Sequence, residues 1–150
     1  MPKSFDRDVL VLIHDVGRLL RVHADRRARS HGMTRAQWVV LVRVELQPGL
    51  SQNELAALLE VEPITVARLV DRLQKRGLVE RRPDAKDRRI WRLHLLPAAQ
   101  PIVEEAHEYR AELNAFITQG MPPELIDTIV DGLLRMKTTL TTGNAADQAA

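Results

Sequence analysis

The chain has 150 residues, 45% of them hydrophobic and 28% charged, with a formal net charge of +2 and no cysteine. That is enough chain for one domain with a real core and helical extensions, and too apolar for a disordered polymer. It excludes a thiol nucleophile, a disulfide framework and a cysteine-based zinc site.

An apolar run such as Val9–Ile13 is far too short to cross a membrane. The N-terminal stretch MPKSFDRD has no signal-peptide pattern, so a cytoplasmic protein with no membrane partner is expected. From Asp6 to about Arg29, Val9, Leu12/Ile13, Val16, Leu19/Leu20 and His23 recur at helical spacing. Arg26, Arg27 and Arg29 suit the negative end of that helix, and Gly32 supplies its stop. TRAQ is a capping box with Thr34 as N-cap and Gln37 three residues on, and Pro48-Gly49 ends the helix that follows. SQNE is a second box, Ser51 with Glu54. Pro63 fits a first helical position, and Gly77 closes that helix after Arg76. Two short helices joined by a tight turn over 51–76 make a helix-turn-helix pattern.

Leu78–Arg82 and Arg89–Leu95 read as two short strands around the Pro83-Asp84 turn, a β-hairpin directly after the second helix. Pro97 to about Gln119 carries Ile102, Ala106, Tyr109, Leu113 and Phe116, the seam of a helix packed along another helix. Ile126, Ile129, Leu133, Met136 and Leu140 repeat the pattern, and the tail GNAADQAA is expected to be disordered. The fold class is therefore mostly α with a small β-hairpin wing: a winged helix-turn-helix over 33–96, a helix at 1–32, two more at 97–142, and a tail at 143–150.

Residues 68–92 hold ten Lys/Arg against four Asp/Glu, a local balance of +6, which leaves −4 for the rest of the chain. Such asymmetry points to a polyanionic partner. Val66, Leu69/Val70 and Leu73 form the core-facing stripe of the helix that starts at Pro63, while Thr65, Arg68, Arg72 and Lys75 line another face. That face begins at the end of the helix that enters the DNA major groove in helix-turn-helix proteins. Arg68 can grip guanine in bidentate fashion, Ile64 can touch a thymine methyl, and Thr65 can bond a base or a phosphate. The N-terminus at Ser51 and Gln52 offers backbone N–H groups to phosphate. Taken singly, each cation reads as a solvated helix face, with Asp71 able to pair with Lys75.

The segments SQNELAALLEV, VARLVDRLQKRGLVERRPD and above all DRRIWRLHL resemble the MarR family of transcriptional regulators, in its SlyA-like branch. Asp87, Arg89, Leu93 and Leu95 fit the family's wing signature, and Leu96-Pro97 stands where the family usually has threonine. The resemblance implies a homodimer that binds a pseudo-palindromic double-stranded DNA operator, most commonly as a repressor. It also implies a wing whose basic tip enters the minor groove. Arg88 is then expected at the tip, with Arg89 sharing the contact or held by Asp87, and Arg81, Arg82 and Lys86 meeting phosphates. A small aromatic acid or acyl-CoA effector is a further implied partner, with Arg18, Arg21 and Trp38 as cleft residues. Trp38 also reads simply as core.

No metal-ligand spacing, P-loop, GxSxG or GxGxxG is present, so neither an enzyme nor a cofactor is expected. The alternatives are a DNA-binding regulator without an effector, competing with nucleoid proteins, and a winged helix used for protein contact.

Overall fold

The computed structural model describes residues 5–147, which form six α-helices and one antiparallel hairpin. Helix α1 spans Val9–Ser30, α2 Arg35–Leu46, α3 Gln52–Leu59 and α4 Pro63–Lys75. Strands β1, Val79–Pro83, and β2, Trp91–Leu95, make the wing, and α5, Gln100–Ile117, and α6, Pro123–Asp147, follow.

Local chemistry sets most of these limits. Helix α1 begins after Asp8, whose carboxylate accepts the backbone N–H groups of Leu10 and Val11, rather than at Asp6. Both capping boxes form. Gln37 N–H donates to the Thr34 hydroxyl at 3.2 Å while Thr34 N–H donates to Gln37 at 3.0 Å. Ser51 N–H donates to Glu54 at 2.7 Å, and Glu54 N–H returns to the Ser51 hydroxyl at 3.1 Å. Pro63 is the first residue of α4, where its missing N–H costs nothing. At the far end Gly77, φ +70°, donates to the Gln74 carbonyl and Leu78 donates to that of Leu73, a Schellman stop. Helix α3 stops the same way, but with Glu60 in the left-handed conformation, φ 53°.

Several expected limits shift for identifiable reasons. Strand β1 starts at Val79 because Leu78 N–H is spent on the α4 stop. Strand β2 starts at Trp91 because the Ile90 N–H turns back to the Asp87 carbonyl. Pro97–Ala99 is a 3-10 turn leading into α5 rather than the first turn of α5 itself. The tail expected from 143 is helical to Asp147: no proline interrupts GNAAD, and α6 carries the helix past Gly143. Residues 148–150 of that tail lie outside the described residues.

The chain divides into two compact units, Met1–His107 and Glu108–Ala150. In the first, α2 packs on α1, α4 and β2, and α3 packs on α4 and β2. Its core is aliphatic: Leu41, Val44, Leu55, Val66, Val70, Leu73, Val79 and Leu93 are fully buried. The hairpin pairs Val79 with Leu95, Arg81 with Leu93, and Arg82 with Arg92. On the other side of β2, Gly49 N–H donates to Leu93, Leu93 N–H donates to Leu50, and Ser51 bridges to Arg92. The start of α3 is thereby stitched to the wing stem.

In the second unit, no described side chain is buried. Helix α6 leaves Leu125, Ile129, Leu133, Leu134 and Leu140 exposed. Helix α1, in the first unit, likewise exposes Val9, Leu12, Ile13, Val16 and Leu19. No described helix is long and apolar enough to cross a membrane.

Candidate nucleic-acid interface

Helix α4 is split by its own periodicity. Val66, Val70 and Leu73 are fully buried, while Ile64, Thr65, Arg68, Arg72 and Lys75 are exposed. Among the described residues, Arg68, Arg72 and Lys75 make no ion pair. Asp71, able to pair with Lys75, is instead taken by Arg81 at 2.7 Å. The cationic stripe is thus left unneutralised, with Pro63, Ile64 and Thr65 at its N-terminal end.

The wing turn is built around two carboxylates. Asp84 accepts the backbone N–H groups of Lys86 and Asp87 at 2.9 and 3.0 Å, and the Arg92 Nε at 2.8 Å. Arg92, followed by those two N–H donors, holds the Asp84 carboxyl below its usual range. Asp87 takes three donors from Arg89: Nε and Nη2, both at 3.1 Å, and the backbone N–H at 2.9 Å. The Arg89 guanidinium, ahead of its backbone N–H, keeps the Asp87 carboxyl low as well. Asp87 therefore braces Arg89 while leaving its side chain 89% exposed. Arg88 and Lys86 are exposed, and their side chains make no ion pair among the described residues. Arg82 is exposed and paired with Glu80.

Ser51 and Gln52 open α3 beside this hairpin. The Ser51 hydroxyl oxygen is the cap acceptor for the Glu54 backbone N–H. Glu54 is held low first by the Ser51 backbone N–H, then by the Ser51 hydroxyl, with Arg92 adding to it.

Residues 31–90, from the end of α1 through the wing turn, match the model of the MarR family. Over that stretch the chain is similar to the MarR family. Its fold is the winged helix of that family's solved structures. It is 27% identical to the transcriptional regulator SlyA, with a TM-score of 0.81 over 91% of this chain and 96% of that one. A MarR protein from Peptoclostridium difficile, 20% identical, gives a TM-score of 0.83 over 95% of this chain and 94% of its own. MepR from S. aureus, solved as a DNA complex, is 24% identical, with a TM-score of 0.75 over 86% of this chain and 95% of its own.

Two sequence expectations for this chain change at this point. Arg81, assigned to a phosphate, points its guanidinium inward at four acceptors on α3 and α4 and keeps only 21% of its side chain exposed. Trp38, assigned to an effector cleft, is 6% exposed and has His31 against its ring, centroids 5.7 Å apart. It is a core residue of α2, because its turn of the helix faces inward with Val40, Leu41 and Val44. Arg18 and Arg21 are exposed on α1, and Arg18 pairs with Asp15 at 3.6 Å. The third change is an addition: Arg92 reaches Asp84, Glu54 and the Gly49 carbonyl. The only hint in the sequence was a cation alternating with Trp91 and Leu93 in a strand otherwise apolar at its start.

Proposed function

We propose that this chain is a sequence-specific double-stranded DNA-binding transcription regulator, acting as a homodimer on a pseudo-palindromic operator and repressing from it. The observation that carries the reading is the unneutralised stripe of Thr65, Arg68, Arg72 and Lys75 on α4, flanked by exposed cations on the wing. Helix α4 would enter the major groove, with Arg68 on guanine and Ile64 against a thymine methyl. Ser51, Gln52, Arg72, Lys75, Arg82 and Lys86 would meet phosphates, and Arg88 with Arg89 would enter the minor groove. The DNA complex of the S. aureus relative MepR supports a duplex as the partner. The dimer is supported by the exposed apolar faces of α1 and α6, which are larger than isolated surface residues explain. Two copies would place their α4 helices about one helical turn of DNA apart.

The test is selection of duplexes from a randomised pool, followed by footprinting of Arg68→Ala on the enriched site. Loss of about 1–3 kcal/mol of discrimination is expected at the contacted base pair. An unchanged footprint would remove α4 as the reading surface. Release by a small anionic or aromatic effector extends the reading and rests on Arg18 and Arg21 alone, now that Trp38 is core. Melting shifts across aromatic acids and acyl-CoAs test it, and no shift with any compound favours the effector-independent regulator.

A further inference from the structure

The two arginines in the wing stem both end on the first turn of α3. Arg82 pairs with Arg92 across the hairpin, so strand alternation puts Arg81 and Arg92 on opposite faces of the sheet. From one face, Arg81 donates to Gln52 of α3 at 2.7 Å and to Gln74, Asp71 and the Ala67 carbonyl of α4 at 2.6, 2.7 and 3.3 Å. From the other, Arg92 donates to Glu54 of α3 at 3.0 Å, the Gly49 carbonyl at 3.3 Å and Asp84 of the wing turn at 2.8 Å. Gln52 and Glu54 are the first and third residues of α3. The recognition helix, the helix before it and the wing are therefore tied at one junction by two guanidinium groups.

We infer that Arg81 and Arg92 are positioning residues for DNA recognition, locking α3, α4 and the wing into one frame without touching DNA. This rests on the function proposed above. The planar guanidinium fork, with five donors at fixed angles, can join acceptors from several elements at once, whereas a lysine ammonium is a point charge with no such plane. Base readout needs donor–acceptor geometry held to a few tenths of an ångström, whereas phosphate attraction tolerates displacement. Loosening the junction therefore erodes selectivity before it erodes general DNA affinity. Four of the five Arg81 N–H donors being engaged inside the chain is what separates this role from a phosphate contact.

The experiment uses the full chain with Arg81→Lys, Arg92→Lys and Arg81→Ala. Each is measured by fluorescence anisotropy on the duplex that the wild type enriches from a randomised pool and on an unrelated duplex, over a range of salt. Both lysine variants are expected to keep the wild-type salt slope and their affinity for unrelated DNA, while selectivity falls about tenfold or more. If Arg81→Lys keeps full selectivity and Arg81→Ala lowers the salt slope by about 0.9, Arg81 is a phosphate contact and the inference is overturned. Equal loss on both duplexes with a lowered melting temperature also overturns it, since that is support of the fold alone. If the wild type enriches no duplex, the proposed function falls first and the inference with it.

Discussion

The winged lobe and the helices α1 and α6 solve the problem of apolar surface in opposite ways. Within 33–96 the apolar residues close on themselves, and among the described residues the only buried apolar ones outside that stretch are Ala28, Ala99 and Val103. Helix α6 is 25 residues long and has no buried residue among those whose burial is described, although its apolar positions repeat as regularly as those of α4. Periodicity says that a helix has an apolar face; it does not say whether the same chain covers it. In α4 the face meets α2, α3 and β1, whereas in α1 and α6 it lies open.

The strongest way to break this contrast is Leu133→Asp on α6. If the open face is a subunit interface, two uncompensated charges enter it per dimer, each costing several kcal/mol. Light scattering should then show a monomer at concentrations where the wild type is a dimer. A dimer that survives would place the interface elsewhere. Next comes the closed side: Leu73→Ala, in the fully buried stripe of α4, should lower the unfolding free energy by about 2–5 kcal/mol in urea titration. A cost under about 1 kcal/mol would mean that the lobe is not the tightly packed unit described here.

A smaller effect concerns pH. The Asp84 and Asp87 carboxyls, held down chiefly by Arg92 and Arg89, and Glu54, held down chiefly by Ser51, have lowered folded values. Groups with depressed values contribute stability above the ordinary carboxylate range and lose it as pH falls through their folded values. The wing should therefore be unchanged from neutral pH to about 5 and loosen below about 4. Trp91 is 47% exposed in the wing while Trp38 is 6% exposed in the core, so a Trp38→Phe chain reports the wing by fluorescence. A wing transition near neutral pH would contradict the assignment. The smallest effect is at Glu60. Glycine there relieves a left-handed residue, about 1–2 kcal/mol, and adds chain entropy to the unfolded state, about 0.5–1 kcal/mol. A melting temperature raised slightly by Glu60→Gly is expected, and a lowered one would show that the glutamate side chain has its own role.

What the sequence made legible was mostly local. Both capping boxes, Pro63 at the head of α4 and Gly77 at its end depend on residues within a few positions of one another, and each appears in the structure as read. The basic face of α4 followed from spacing alone. The junction at Arg81 and Arg92 did not, because its partners lie up to 43 residues away. A hairpin cation looks the same in sequence whether it turns toward solvent or toward α3. For the same reason Lys75, four residues on, is the partner the sequence offers Asp71, whereas the hairpin brings it Arg81. Trp38 was open to two readings because an aromatic on an amphipathic helix fits a core and a cleft equally well, and only its burial decides.

The wing tip holds one more consequence. Arg89 is gripped by both oxygens of Asp87, while Arg88 beside it is exposed with no ion pair among the described residues. Fixing a long side chain costs conformational entropy, up to about 2 kcal/mol for arginine. For Arg89 that loss is incurred when the protein folds; for Arg88 it falls due only when something is bound. An anion arriving at the tip meets one arm already set and one still searching, so the first encounter should be quick and the final fit adjustable.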